Sequence, residues 1–139
     1  MADYTPDITT LIPQGPPFVM VDGFLGSDGP VTKTCFRVAA DNPLVWNGRL
    51  TVAGLIENIA QTAAAGAGYA ALATGGAVRG GAIVAVSNLV IDRLPEVGEE
   101  LSTEIGVTAR VADIVVISGR VTCRDTVIAT GEMKILIGV

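Results

Sequence analysis

Thr51-Val52-Ala53-Gly54-Leu55-Ile56-Glu57-Asn58-Ile59-Ala60-Gln61-Thr62-Ala63-Ala64-Ala65-Gly66-Ala67 begins the one stretch long and uniform enough to set the architecture of this chain. Thr51 has the side chain of an N-cap, and the pattern predicts a helix from there to about Ala73. Its apolar positions, including Leu55, Ile56, Ile59, Ala60, Ala63, Ala64, Ala67 and Ala71, go nearly all the way round, which predicts burial on most sides. A membrane span is the rival reading, but Glu57, Asn58, Gln61 and Thr62 interrupt the run and much of the remainder is Ala and Gly. The stretch reads as a buried soluble helix whose small side chains let a sheet come close.

Upstream, Thr5-Pro6-Asp7 offers an N-cap, a proline at the first helical position and an acid in the first turn, which predicts a short helix over 6–12 ended by Pro13. Phe18-Val19-Met20-Val21 follows two prolines and reads as extended. Gly26-Ser27-Asp28-Gly29-Pro30 is turn chemistry before an alternating strand over 31–38, so the two runs predict a first hairpin. Residues 40–49 are irregular, broken by Asn42-Pro43 and Asn47-Gly48. Beyond Gly75-Gly76 four strands are predicted. They are an apolar run over 82–91 suited to a central strand, a period-two run over 101–111, then 114–123 and 127–137, with turns at Ala112-Asp113 and Arg124-Asp125-Thr126. This is an α+β order, and an antiparallel sheet curved around the long helix buries it most economically.

The 139 residues, half of them hydrophobic, suffice for one core, so a single domain over 1–139 is expected. A formal charge of −5 with singly scattered basic residues leaves no electrostatic footprint for nucleic acid or anionic lipid. Met1-Ala2-Asp3-Tyr4 lacks the features of a secretory signal. Cys35 and Cys123, far apart in strand-like contexts, read as reduced buried thiols, and together these point to the cytoplasm. Isolated cysteines and no histidine cluster imply no metal.

Three motifs, in order and across essentially the whole chain, resemble those of the hot-dog 3-hydroxyacyl-[acyl-carrier-protein] dehydratases of fatty-acid synthesis and their relatives in polyene and aryl-lipid pathways. Leu11-Ile12-Pro13-Gln14-Gly15-Pro16-Pro17-Phe18-Val19-Met20-Val21-Asp22 is similar to the family's N-terminal Pro-rich segment. Leu55-Ile56-Glu57-Asn58-Ile59-Ala60-Gln61 is similar to its helix motif, and Arg93-Leu94-Pro95-Glu96-Val97-Gly98-Glu99-Glu100-Leu101 to its Pro-Gly turn. The resemblance implies a hot-dog fold and a homodimer, or an oligomer of dimers, whose sheets join. It also implies an acyl tunnel beside both central helices, no bound cofactor, and a substrate carried on the phosphopantetheine of an acyl carrier protein or coenzyme A. The chain departs from the family at its histidines, for it has none. The family's catalytic histidine falls roughly 14 residues before the helix glutamate, near Pro43 here. Its second histidine corresponds to Gln14, and its Pro-Gly at the helix entrance is replaced by Leu50-Thr51-Val52-Ala53-Gly54.

Dehydrating a 3-hydroxyacyl thioester takes a base for the α-proton, an acid for the departing hydroxyl and donors for the developing enolate oxygen. Glu57 is the only acid in the long helix, where an unpaired carboxylate is costly, so it is either functional or a partner for Arg49 or for an arginine of a dimer mate. Gln61 lies one turn later on the same face, to orient Glu57 or to touch substrate; Gly54, one turn earlier, serves packing or offers its N–H to a thioester carbonyl. Asn47-Gly48 is a turn, or else Asn47 positions a water or hydroxyl from the loop that delivers the family's histidine. Gln14 orders the Pro-rich turn or contacts substrate, Arg49 meets a phosphate or a neighbour, and Trp46 is a lid or a dimer-packing residue. Glu57, Gln61 and Asn47 are thus the catalytic candidates, and Gln14, Arg49, Gly54, Trp46 and Gly48 the substrate-binding ones. Three functions follow: an atypical dehydratase, an acyl-thioester hydrolase using Glu57, and a non-catalytic acyl-binding subunit paired with a paralogue that supplies the histidine.

Overall fold

The computed structural model describes residues 6–138. Eight strands and one long helix follow in order: β1 (Gly23–Asp28), β2 (Val31–Arg37), β3 (Val45–Trp46), β4 (Arg49–Leu50), α1 (Val52–Ala73), β5 (Gly81–Ile91), β6 (Glu100–Val111), β7 (Ile114–Cys123) and β8 (Thr126–Ile137). Six of them make one antiparallel sheet in the order β1-β2-β6-β7-β8-β5, while β3 and β4 form a separate two-stranded hairpin. Leu55, Ile59 and Ala63 of α1 pack against Leu101, Ile105, Ile117, Val121 and Met133 of the sheet, so the core lies between the helix and one sheet face. This is the α+β arrangement the sequence predicts. The β6, β7 and β8 bounds agree with it to within a residue, because alternation and two turns with positive φ at Ala112 and at Arg124 and Asp125 leave no second register.

Four expectations are corrected. The leading helix is only a 3-10 turn, Ile8–Thr10, capped by Asp7, whose carboxylate accepts the Thr9 N–H at 2.9 Å; those Thr9 bonds hold the Asp7 carboxyl below its ordinary range. The Thr5 cap and the Met1-Ala2-Asp3-Tyr4 segment lie outside the described residues. The first hairpin pairs β1 with β2, not residues 18–21, whose backbone is bonded to helix side chains instead. The 40–49 stretch contains the hairpin β3–β4, with Asn47 at φ 52° and Gly48 at φ 76°, the conformation of a type I′ turn.

The fourth correction concerns β5, which is an edge strand and not a central one in this chain. It pairs with β8 along one side only, and its side chains are exposed on both faces, including Ile83, Val84, Val86 and Val90. An eleven-residue apolar edge of this kind is a template for pairing with another strand.

Helix α1 starts where expected, with the Thr51 hydroxyl accepting the Gly54 N–H at 3.3 Å. Its burial is not the all-round apolar pattern. Asn58, Gln61 and Thr62, which read as interruptions, are completely buried, while Ala60, Ala64, Ala67 and Ala71 are only half-buried. No helix among the described residues is long and apolar enough to cross a membrane.

Candidate active site

The buried amides of α1 hold the Pro-rich segment. Gln61 Oε1 accepts the Met20 N–H at 2.7 Å, Gln61 Nε2 donates to the Phe18 carbonyl at 2.8 Å, and Asn58 Nδ2 donates to the Met20 carbonyl at 2.8 Å. Asn58 Oδ1 accepts the Thr103 hydroxyl at 2.5 Å, and the Thr62 hydroxyl donates to the Asn58 carbonyl at 2.8 Å. Each bond satisfies a group that would otherwise be buried and unpaired. The network therefore fixes the 18–20 segment across the helix face.

The second donor of that Gln61 amide goes to Glu57 Oε2 at 3.0 Å. Glu57 is half-buried, with this oxygen held by an amide whose other contacts are locked. Arg49 pairs instead with Glu96 at 3.8 Å, and Glu57 has no ion-pair partner among the described residues. The carboxylate opens into a cavity of about 280 Å³ lined by Gln14, Ala60, Ala64, Gly81, Ile83 and Ile135, among others. Small side chains on the helix make the space, and the beginning of β5 forms the opposite wall. Gln14 Oε1 is buried there and finds no donor among the described residues. An acceptor left in that state costs about 1–3 kcal/mol, which a bound hydroxyl, N–H or water offsets.

The structure thus brings Glu57, Gln61 and Gln14 together. It places the other candidates elsewhere. Asn47 and Gly48 form the exposed hairpin turn, the Gly48 carbonyl takes the Val97 N–H at 2.9 Å, and Trp46 is 72% exposed. Gly54 is buried, its N–H is used by the Thr51 cap, and a Cβ there would strike Leu50, so close packing explains it and an open oxyanion donor does not. None of Trp46, Asn47, Gly48, Arg49 and Gly54 lines the Glu57 cavity. Ala60 and Ala64, at three and seven residues beyond Glu57, were legible as small positions on its face; Gly81, Ile83 and Ile135 arrive only through the β5–β8 register.

Near the helix entrance, Glu99 organises the turn that holds the β3–β4 hairpin. It accepts two bonds from Arg93 at 2.8 and 3.0 Å, one from the Glu96 N–H at 2.8 Å and one from the Cys123 thiol at 3.2 Å. The Arg93 guanidinium, first among these, lowers its pKa to about 2. Burial pushes the Cys123 thiol up, and Cys35 likewise; both cysteines are free. Leu50 N–H donates to the Pro95 carbonyl at 2.9 Å, tying the hairpin to that turn.

Residues 6–137 match the family described as ApeP-like, the ApeP dehydratases. The chain belongs to the ApeP-like dehydratase family. Its fold is similar to that of one chain of the dehydratase heterocomplex ApeI:P from Xenorhabdus doucetiae, with a TM-score of 0.90 at 16% identity, covering 96% of this chain and 92% of that one. It is also similar to the PaaI protein of Escherichia coli, from the operon for phenylacetic acid degradation, with a TM-score of 0.64 at 14% identity over 81% of this chain and 80% of that one. A hypothetical thioesterase from Streptococcus pneumoniae, solved with coenzyme A, gives 0.63 at 10% identity over 82% and 83%. No curated protein matches the chain in sequence. The ApeP-like chain is therefore a hot-dog protein of a dehydratase family.

Proposed function

We propose that this ApeP-like chain supplies the glutamate half of an acyl-thioester dehydratase, completed by a second hot-dog subunit joined along β5. The observation that carries the reading is the Glu57 carboxylate, held at 3.0 Å by a locked Gln61 amide in a cavity whose far wall is the edge strand β5, paired with β8 on one side only. The substrate is a 3-hydroxyacyl thioester on the phosphopantetheine of an acyl carrier protein or coenzyme A. Glu57 takes the C2 proton, the C–H electron pair becomes the C2–C3 double bond as the C3–O bond breaks, and the hydroxyl leaves as water with a proton delivered by an acid. Gln61 is the positioning residue, and Gln14, on the cavity wall, is the substrate-contact residue.

Pairing two copies through β5 gives a homodimer, but a second copy brings no histidine to serve as that acid. An unlike hot-dog subunit that carries one supplies it; the similar Xenorhabdus structure is described as a dehydratase heterocomplex, which supports assembly with an unlike subunit. Two free thiols suit a reducing cytoplasm.

The test is mass spectrometry of short, medium and long 3-hydroxyacyl thioesters incubated with the chain alone, with a histidine-bearing hot-dog subunit, and with Glu57→Gln in both settings. Loss of water only in the mixture, abolished by Glu57→Gln, supports the proposal. Turnover by the chain alone makes it a self-sufficient homodimer, release of free acid makes it a hydrolase, and binding without turnover in every setting makes it a scaffold; each of these overturns it.

A further inference from the structure

A second and larger cavity, about 350 Å³, opens beneath the C-terminal half of α1 at the other end of the roll from the helix N-terminus. Its volume is within the range of small-molecule sites. Ala63, Gly66, Ala67 and Ala70 form the helix wall, Ile105, Val107, Val115, Ile117 and Ile137 of β6, β7 and β8 form the sheet wall, and Ser27, Pro30 and Thr32 of the β1–β2 hairpin close the third side. Val107, Val115 and Ile137 are only half-buried although they sit inside the curve of the sheet, so apolar surface there lacks a covering. None of its lining residues belongs to the Glu57 cavity.

The rim is cationic. Lys33, Arg37, Arg49, Arg93, Arg120 and Arg124 each pair with a glutamate, whereas Arg79 and Arg110, both at this rim, and Lys134, away from it on β8, pair with none of the described acidic residues. Asp113 is also at the rim, its backbone carbonyl taking the Ile137 N–H at 2.9 Å, and one carboxylate against two guanidiniums leaves the opening positive. On a chain of net charge −5 that is a local reversal of sign.

We propose that this chamber is a second ligand site, taking an unbranched apolar chain that ends in a carboxylate. The chain lies between α1 and the sheet walls, and the carboxylate meets Arg110 and Arg79 at the opening, where a guanidinium offers it paired donors. Ala63, Ala67 and Ala70 leave room for a methylene chain beside the helix, and the aliphatic sheet wall gains cover when it is filled. The site stands whether or not Glu57 takes part in dehydration, since the two cavities share no residue.

Isothermal titration calorimetry of the full chain with octanoate and with octanol tests it. Octanoate saturates at one site per chain and binds about tenfold tighter than octanol. Arg110→Gln brings octanoate to the octanol level and leaves octanol unchanged. Ala67→Phe, which fills the chamber, abolishes both; if circular dichroism shows that variant unfolded, Ala70→Phe at the exposed mouth is used in its place. Glu57→Gln changes neither. Absence of saturable binding, equal affinity for octanoate and octanol, binding that survives the phenylalanine, or loss on Glu57→Gln overturns the proposal.

Discussion

The two halves of α1 are built on opposite plans. Over residues 52–62 the helix buries polar side chains, and every bond they make goes to another element or back to the helix: Asn58 and Gln61 to the 18–20 segment, Asn58 to Thr103, Thr62 to Thr34 at 2.7 Å. Over residues 63–73 hydrogen-bonding side chains are absent apart from Tyr69, and the helix is held by close approach, with Gly66 against Thr32, Gly68 against the Leu11 backbone and Tyr69 stacked 5.1 Å from Phe24. Directional bonds fix a carboxylate in place, whereas small-residue contact lets the helix pass near its neighbours and still leave a chamber beside it. Position is specified in the first half and space in the second.

That contrast can be broken by measurement. Glu57→Gln in the assembled enzyme is expected to lower turnover about 10³-fold while leaving the thermal midpoint within about 2 °C, because the change removes a proton carrier and no anchor; a large drop in midpoint would make Glu57 part of the anchoring. Asn58→Leu should cost about 3 kcal/mol in urea unfolding, since it strands the Met20 carbonyl and the Thr103 hydroxyl. A neutral result there would remove the distinction between the halves. In the second half Gly68→Ala should cost about 2 kcal/mol, because a Cβ meets the Leu11 carbonyl and backbone has to move, while Ala70→Ser, on the exposed chamber mouth, should stay within about 0.5 kcal/mol.

Acid sharpens the same comparison. Glu99 has a folded-state pKa of about 2 against an ordinary value of 4.5, so its contribution is whole above 4.5 and is lost as pH falls toward 2. It braces the turn that grips the hairpin before α1, so hydrogen exchange should show the 45–50 hairpin and the start of the helix loosening in that window. Glu99→Gln should flatten the response.

Much of this was legible where one local signal sufficed. Thr51 announced the helix, alternation from Leu101 onward announced β6, and a lone acid with an amide four residues later announced the Glu57–Gln61 pair. The β3–β4 hairpin was not, because strands of two residues carry no period, although Asn47-Gly48 named its turn. The Phe18-Val19-Met20-Val21 run looked like a strand since nothing local reveals that its backbone partners are Gln61 and Asn58, some forty residues away. Gln14, which reads as a turn former or a substrate contact, lines the Glu57 cavity and has a buried oxygen with no donor among the described residues, a property of the packed chain alone. The apolar β5 run reads as central because sequence records how apolar a strand is and not which of its edges is paired.

The open β5 edge also bears on how the protein is made. A strand with apolar side chains on both faces and one free row of backbone groups will add to any similar strand it meets, its own copies included. If a partner subunit covers this edge as proposed, a chain made without that partner keeps the strand open and is exposed to aggregation, so what protects it is assembly and not its own fold.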